Sequence, residues 1–282
     1  MSKKILITGA NGFTGRALSF FLSKDYCVVA YGREELDLLD KDKVAKTLEK
    51  EKFDIIIHTA IYDAAPKFST KDPDKVLEYN LRMFDNLASC SEKYHAMIYF
   101  GSGAEKKKEK PYGLSKYIMD QLTQNKSNIY NLRLYSVYGI GTDWRYRFIN
   151  NACAKIALGM PIKVPRINKC DYLHIDDLCK VVKHYVESYE YLPKSSDICS
   201  GDVFTPDEII EYIKEIAFVK GIVPHNTVTA TVSRSQSSDQ EYYGDPGLLR
   251  LLPFNTTPIS VGIRELIEYY KKEQPDPNQF VY

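Results

Sequence analysis

The first half of the chain alternates short, nearly unbroken apolar runs with longer stretches whose apolar residues recur at helical spacing. Lys4–Thr8, Cys27–Tyr31, Ile55–Thr59, Met97–Phe100 and Tyr130–Leu134 read as strands. Several are β-branched or aromatic with almost no polar interruption, the pattern of strands covered on both faces. Between them, Arg16–Leu22, Lys43–Glu51, Asp74–Tyr94 and Leu114–Thr123 carry the amphipathic period of helices. This alternation predicts an α/β fold, a doubly wound parallel sheet of Rossmann type with right-handed crossovers.

After about residue 160 the rhythm changes. Predicted strands shorten, and prolines recur at 161, 165, 193, 206, 224, 246, 253 and 258. Helices are predicted near Asp176–Glu190, Pro206–Phe218 and Val261–Lys272, and Asp207 and Glu208 suit the positive end of the second. The sequence therefore divides into a larger region, 1–160, and a smaller C-terminal lobe, 161–282, with some of its segments returning to the first. The polar stretch Ser233–Asp239 reads as a loop and the tail Gln274–Tyr282 as peripheral.

Composition narrows the function classes. A chain of 282 residues can bury a sizeable core without staples, and 44% hydrophobic with 27% charged residues is ordinary globular usage. The net charge of +1 gives no bulk attraction to nucleic acid or an anionic membrane. The lysines Lys106–Lys108 and Lys110 read as a local solvated loop. Six cysteines without a CxxC pair read as reduced, mostly buried thiols, and no metal is expected. There is no signal-peptide layout, and no apolar stretch nears the ~18 residues of a membrane span. The expectation is a cytoplasmic protein with neither a nucleic-acid nor a membrane partner.

The first candidate chemistry is the segment Ile5-Leu6-Ile7-Thr8-Gly9-Ala10-Asn11-Gly12-Phe13-Thr14-Gly15, an apolar strand running into a glycine turn and then a helix. Gly9 can make the tight turn, Gly12 lets backbone approach a pyrophosphate, and Gly15 lets helix and strand pack closely. Free N–H groups at the helix start then face the phosphates. Gly9, Asn11, Gly12, Phe13, Thr14, Gly15 and Arg16 are thus candidates for holding a dinucleotide. An acidic residue about twenty positions further on normally takes a ribose 2′-hydroxyl. The second strand instead ends Ala30-Tyr31-Gly32-Arg33, and a guanidinium there can grip a 2′-phosphate. NADP is favoured over NAD; in the other reading Glu34 or Glu35 takes the ribose.

The second candidate is Pro111-Tyr112-Gly113-Leu114-Ser115-Lys116, in which Tyr112 and Lys116 share a helix face. Proton transfer to a carbonyl or from an alcohol needs a group that titrates near the operating pH. A neighbouring ammonium favours the phenolate of a group that ordinarily titrates near ~10, and bringing it down to ~7 takes roughly 4 kcal/mol. Lys116 can also hydrogen-bond the nicotinamide ribose. Ser102, just past the fourth strand, lies where ligands bind in open sheets and can orient the reacting oxygen.

The GxxGxxG spacing with Ser102, Tyr112 and Lys116 resembles the extended short-chain dehydrogenase/reductases, the NAD-dependent epimerase/dehydratase family. The stretch Gly32–Asp40 followed by Phe53–Ala60 looks like dTDP-4-dehydrorhamnose reductase. The resemblance implies that Asp37 and Leu38 lie beside the adenine. It likewise implies that Thr59, Ala60 and Ile61 run beside the ribose and pyrophosphate, and that Asn80 matches the family's helix asparagine. The stretch Arg133–Gly139, with Tyr135 and Val137, would flank the nicotinamide. Asp171–Leu178 and the helix from Gly262 to Tyr270 also resemble the family. The linker from Ser102 to Tyr112 is shorter than usual, and Gly103-Ala104 replaces the acidic pair of the 4,6-dehydratases, which counts against dehydration.

On the substrate side, the resemblance places a helix opening at Arg147–Ala152 along a nucleotide-diphosphate pocket. Asn150 or Asn151 could bond phosphate or sugar, and Lys169 and Arg234 could neutralise phosphate charge. Trp144 either caps that pocket or packs between lobes, and His174 reads as a structural residue. The expected function is NADP(H)-dependent reduction of a 4-keto nucleotide-linked sugar by a homodimer. The alternatives are a nucleotide-sugar 4-epimerase with tightly bound NAD and a non-catalytic dinucleotide-binding protein.

Overall fold

The structure, a computed structural model, describes residues 2–64, 69–164, 169–219, 221, 230–231 and 241–281. In chain order its elements begin with β1 (Lys4–Thr8), α1 (Phe13–Leu22), β2 (Cys27–Tyr31), α2 (Lys41–Glu51), β3 (Ile55–His58) and α3 (Val76–Ala88). They continue with β4 (Ala96–Ser102), α4 (Pro111–Gln124), β5 (Ile129–Leu134), β6 (Ser136–Tyr138), α5 (Phe148–Ala157), β7 (Ile162–Lys163) and β8 (Cys170–His174). The last are α6 (Ile175–Ser188), β9 (Ser195–Ile198), β10 (Val203–Phe204), α7 (Pro206–Val219), β11 (Ala230–Thr231), α8 (Gly247–Leu251) and α9 (Ile259–Glu273).

The chain forms two compact units. One comprises Met1–Leu134 and Cys179–Asp197, the other Tyr135–Leu178 and Ile198–Tyr282. The first holds a sheet of strand order β2-β1-β3-β4-β5-β9. Its pairings from β2 through β5 are parallel, with Leu6 opposite both Val29 and Ile56, and Ile57 opposite Ile98. This is the doubly wound α/β sheet of Rossmann type that the alternating pattern predicts. Strand order reverses direction between β1 and β3, the crevice where open sheets bind ligands.

Burial explains the apolar runs. Every residue of β3 and β4 is buried, as strands covered on both faces must be, whereas the edge strand β2 exposes Cys27 and Ala30. The helices are set by local chemistry. Asp40 caps α2 by accepting from Lys43 N at 2.9 Å, Val44 and Leu48 form its buried stripe, and Lys52 ends it in the left-handed conformation. Pro111 opens α4 in the first turn, where a missing N–H costs nothing. Helix α3 is shorter than its pattern suggests, because separate 3-10 turns occupy Pro73–Lys75 and Ser91–Lys93. One core joins Leu6, Ile56 and Met97 of the sheet to Phe84 and Leu87 of α3, with the Phe84 and Tyr99 rings edge to face at 4.9 Å.

In the second unit, β6 and β8 pair parallel and β10 joins β8 antiparallel; β7 and β11 form a separate parallel pair. The core there includes Ile149, Cys153, Ile213, Ile263, Leu266 and Tyr270. The C-terminal tail is docked rather than loose: the Phe280 ring lies 4.9 Å from that of Trp144, and Val281 N donates to Arg145 O. Trp144 therefore packs inside its own unit. The six cysteines are free, and only Cys27 is exposed.

Phe84 is 1% exposed. Phe84→Ala should cost about 3–5 kcal/mol through lost burial and a residual cavity. A urea unfolding midpoint equal to that of the wild type would contradict this packing.

Candidate functional site

The carboxyl ends of β1, β2 and β3 surround a cavity of about 330 Å³. Gly9, Asn11 and Gly12 line it from the first turn, Gly32, Arg33 and Leu36–Leu39 from the second, and Thr59–Tyr62 from the third, with Lys71, Tyr79 and Met83 opposite. Gly9 makes this possible. Its φ is +70°, and a Cβ would stand 2.6 Å from the Ala60 backbone. Gly12 N donates to Gly9 O at 2.9 Å, which closes the turn on itself.

Helix α1 starts at Phe13 with no side-chain cap and no acid in its first turn. Its N–H groups are left for an anion, which suits a diphosphate. The cavity thus fits the sugar-phosphate half of a dinucleotide. Phe13, Thr14 and Gly15 form the first turn of α1, and Arg16 reaches back to the Asn11 carbonyl.

The charges in the cavity are unevenly committed. Arg33 Nε lies 3.3 Å from Asp37 Oδ2, with both side chains substantially exposed, and Asp37 Oδ1 accepts from Leu39 N at 3.0 Å. Glu35 is spent elsewhere, holding Gly32 N at 2.9 Å. Lys71, which no motif in the sequence marks, projects its ammonium 5.1 Å from the centre of the Tyr62 ring. Asn80 stands behind the wall instead of on it. Its amide exchanges hydrogen bonds with Tyr62 N and O at 2.9 and 2.8 Å and donates to Val76 O. It pins the segment after β3, and its expected direct contact with a cofactor is corrected to this supporting one.

Ser102 is the last residue of β4, and its hydroxyl accepts from Ala104 N at 3.1 Å. Tyr112 and Lys116 follow on α4. Tyr112 is half-buried, and its ring centre lies 5.8 Å from Lys116 Nζ. Lys116 is buried and donates to the Phe100 carbonyl at 2.7 Å. Burial pushes its ammonium down to about 8, and the Glu105 carboxylate opposes that shift. Below the sheet ends, His58 shares a 2.9 Å hydrogen bond with Thr8 Oγ1, and burial together with the Lys116 charge pushes its imidazole down to about 3. Glu105 joins the site without having been expected from sequence. Its buried carboxylate binds Ser102 N and Arg133.

The remaining candidates lie in the second unit. Tyr135 is buried with its ring 5.3 Å from that of Tyr242, and Val137 pairs with Leu173 in the sheet. The expectation for Asn150 and Asn151 is corrected. Asn150 has no exposed surface, and its amide donates to Gly139 O and Tyr270 Oη, both at 2.9 Å. Asn151 donates to Trp144 O and Arg145 O. Both amides hold backbone inside the unit. Lys169 is exposed, while Arg234 lies outside the described residues. His174 is buried between Tyr138 and Glu265, in keeping with a structural role. Among the described residues no His, Cys, Asp and Glu group could hold a metal ion, and no helix is long and apolar enough to cross a membrane.

Residues 5–199 match the NAD dependent epimerase/dehydratase family. GDP-L-colitose synthase of Yersinia pseudotuberculosis is 21% identical, with 96% of this chain and 99% of that protein covered. GDP-6-deoxy-D-talose 4-dehydrogenase of Aggregatibacter actinomycetemcomitans is 22% identical over 76% of this chain and 80% of its own length. Of solved structures, the Campylobacter jejuni GDP-mannoheptose C4 reductase with NADP bound superposes with a TM-score of 0.79 at 19% identity, covering 96% and 98% of the two chains. The Thermus thermophilus UDP-glucose 4-epimerase complex with NAD gives 0.76 at 19%, covering 95% and 99%. At these identities the structural likeness establishes the fold.

Two of these placements can be checked by unfolding. Asn150→Ala strands a buried carbonyl and hydroxyl and should cost about 1–3 kcal/mol of stability; unchanged thermal unfolding would restore a ligand-binding role. For His58, the unfolded chain takes up a proton near pH 6.5 that the folded chain refuses until about 3. The stability this group contributes is complete above 6.5 and lost as pH falls, at up to about 1.4 kcal/mol per pH unit. Urea midpoints between pH 6.5 and 4 should fall less steeply in His58→Gln than in the wild type, and equal slopes would refute the assignment.

Proposed function

The chain belongs to the NAD dependent epimerase/dehydratase family, and from that premise we propose that it is an NADPH-dependent reductase acting at C4 of a keto sugar carried on guanosine diphosphate. The observation that carries the reading is the Tyr112–Lys116 pair on α4, with its ammonium buried against the β4 carbonyl two residues before Ser102. The nucleotide follows the relatives, whose names place their chemistry on GDP-linked sugars.

In this reading, Gly9, Asn11, Gly12 and the first turn of α1 (Phe13, Thr14, Gly15) hold the diphosphate, with Arg16 bracing the loop. Asp37, Leu38, Thr59, Ala60 and Ile61 enclose the adenosine. Arg33 and Lys71 give the cavity the cations a 2′-phosphate needs. Bound NADPH supplies the hydride. Ser102 orients the carbonyl oxygen by a hydrogen bond. Tyr112 gives that oxygen its proton, and Lys116 holds a ribose hydroxyl while its charge favours the phenolate left behind. Tyr135 and Val137 flank the nicotinamide, and Lys169 assists the substrate diphosphate. A cytoplasmic homodimer is part of the proposal, for which α4 offers an exposed Leu122.

A 4-epimerase retaining NAD is the second reading. Asp37 favours it, as a cavity carboxylate of the kind that takes a ribose 2′-hydroxyl.

Mass spectrometry of the dinucleotide retained on purification, followed by NADPH oxidation with GDP-, UDP- and dTDP-linked 4-keto sugars, tests the proposal. NADPH consumption with a GDP-linked substrate is expected, whereas retained NAD with no net turnover would select epimerisation. Tyr112→Phe should lower kcat/KM by at least ~100-fold. Arg33→Ala and Lys71→Ala should each reduce the preference for NADPH over NADH about tenfold, the equivalent of about 1.4 kcal/mol. Unchanged preference in both variants would remove the phosphate-binding role.

A further inference from the structure

Tyr62 follows β3 and lines the same cavity as Arg33, Lys71 and Tyr79. It is anchored by backbone, ring and hydroxyl. The Asn80 amide bonds both its N–H and its carbonyl, at 2.9 and 2.8 Å. The Tyr79 ring meets its ring edge to face, with centres 4.9 Å apart. Its hydroxyl accepts from Asp72 N at 2.9 Å. That last bond reaches the residue next to Lys71, so the phenol ties the backbone that carries the lysine. The ring takes the other end: Lys71 Nζ lies 5.1 Å from its centre, a cation–π contact. Asp72 also caps the 3-10 turn Pro73–Lys75 by accepting from Asp74 N at 2.9 Å, which fixes the far side of the tether.

The partner of a cation decides how available its charge is. The Lys75 ammonium pairs with the Glu78 carboxylate at 2.9 Å besides lying 5.9 Å from the centre of the Tyr79 ring. Lys71 meets no carboxylate at ion-pair distance among the described residues. A ring face attracts an ammonium without neutralising it, so the Lys71 charge stays open to an anion. A lysine already held also loses less rotamer freedom when that anion arrives than one that swings in water.

We propose that Tyr62 is a positioning residue for Lys71: its hydroxyl fixes the backbone at Asp72 and its ring holds the Lys71 ammonium at the cavity for the 2′-phosphate that distinguishes NADPH from NADH. This rests on the reading above, in which Lys71 is one of the cations that meet that phosphate. Adenine, diphosphate and nicotinamide are common to both dinucleotides. Loss of a general wall contact therefore weakens both alike, whereas loss of a held cation weakens NADPH more than NADH.

The test is a double-mutant cycle on the ratio of the NADH and NADPH dissociation constants, titrated on the whole protein by nicotinamide fluorescence without a sugar substrate. Tyr62→Leu removes ring and hydroxyl and should cut the preference for NADPH about fivefold. Tyr62→Phe keeps the ring and loses the tether, and should cut it about threefold. In a Lys71→Ala background neither change should lower the preference further, because the group through which Tyr62 acts is gone. A folded Tyr62→Leu that binds both dinucleotides more weakly at the wild-type ratio would make Tyr62 a wall residue and overturn the proposal. An equal loss of preference with and without Lys71 would overturn it too. If the leucine variant does not fold, Tyr62→Phe decides, and an unchanged ratio there has the same consequence. The two failures separate. Lys71→Ala at the wild-type ratio sinks the 2′-phosphate reading and this inference with it, whereas a reduced ratio in Lys71→Ala without one in the Tyr62 variants sinks the inference alone.

Discussion

Lys116 carries an ammonium into the interior and donates it to the Phe100 carbonyl at 2.7 Å. Stripping an ammonium of water costs several kcal/mol after relaxation, so its surroundings are constrained. The carbonyl must point off β4 toward α4, which requires the strand to run to Ser102 in full register with β5. The helix must begin early enough to bring position 116 under that carbonyl, and Pro111 opens it there. The turn between strand and helix holds Glu105, whose carboxylate accepts from Ser102 N and Arg133. The short link between Ser102 and Tyr112 carries a reciprocal cap at the strand end and the helix start at Pro111.

The same sheet produces the cavity by a different route. Its lining comes from the turns after three adjacent parallel strands, β2, β1 and β3, at the point where strand order reverses. One sheet therefore carries two distinct features: a backbone turn at Gly9 before the uncapped start of α1, and a buried ammonium, Lys116, against the end of β4.

How much of this is legible in the sequence depends on how local each signal is. Strands β1 and β2 and the glycine turn are contiguous patterns, and the structure places them at the expected residues. Tyr112 and Lys116 are one helical turn apart, so their shared face is legible without tertiary information. Glu105 is not, because its partners Asn131 and Arg133 come from β5, and only the folded sheet brings them under Gly101. Lys71 escapes for the same reason: only the fold brings it to the cavity that Gly9 and Arg33 line. Asn150 and Asn151 mislead because amides near a helix start look solvent-facing, although here they bond backbone carbonyls several residues away. Strands of two or three residues, such as β6, β7 and β10, are too short for any period to emerge.

The proposed preference for a phosphorylated ribose turns on the Arg33–Asp37 pair. Their side chains are 71% and 37% exposed, and an ion pair that wet contributes roughly 0–1 kcal/mol. Little is lost when Arg33 leaves it for a 2′-phosphate, to which a guanidinium can bond bidentately with charge on both sides. The opposite choice demands more. For Asp37 to take a ribose hydroxyl it must share a carboxylate already accepting from Leu39 N and facing Arg33, while Glu35, in the turn after β2, is committed to Gly32 N. Lys71 adds a second cation to the same wall. The cheaper rearrangement is the one that accepts the extra phosphate, and that asymmetry favours NADPH where the arginine alone would not decide it.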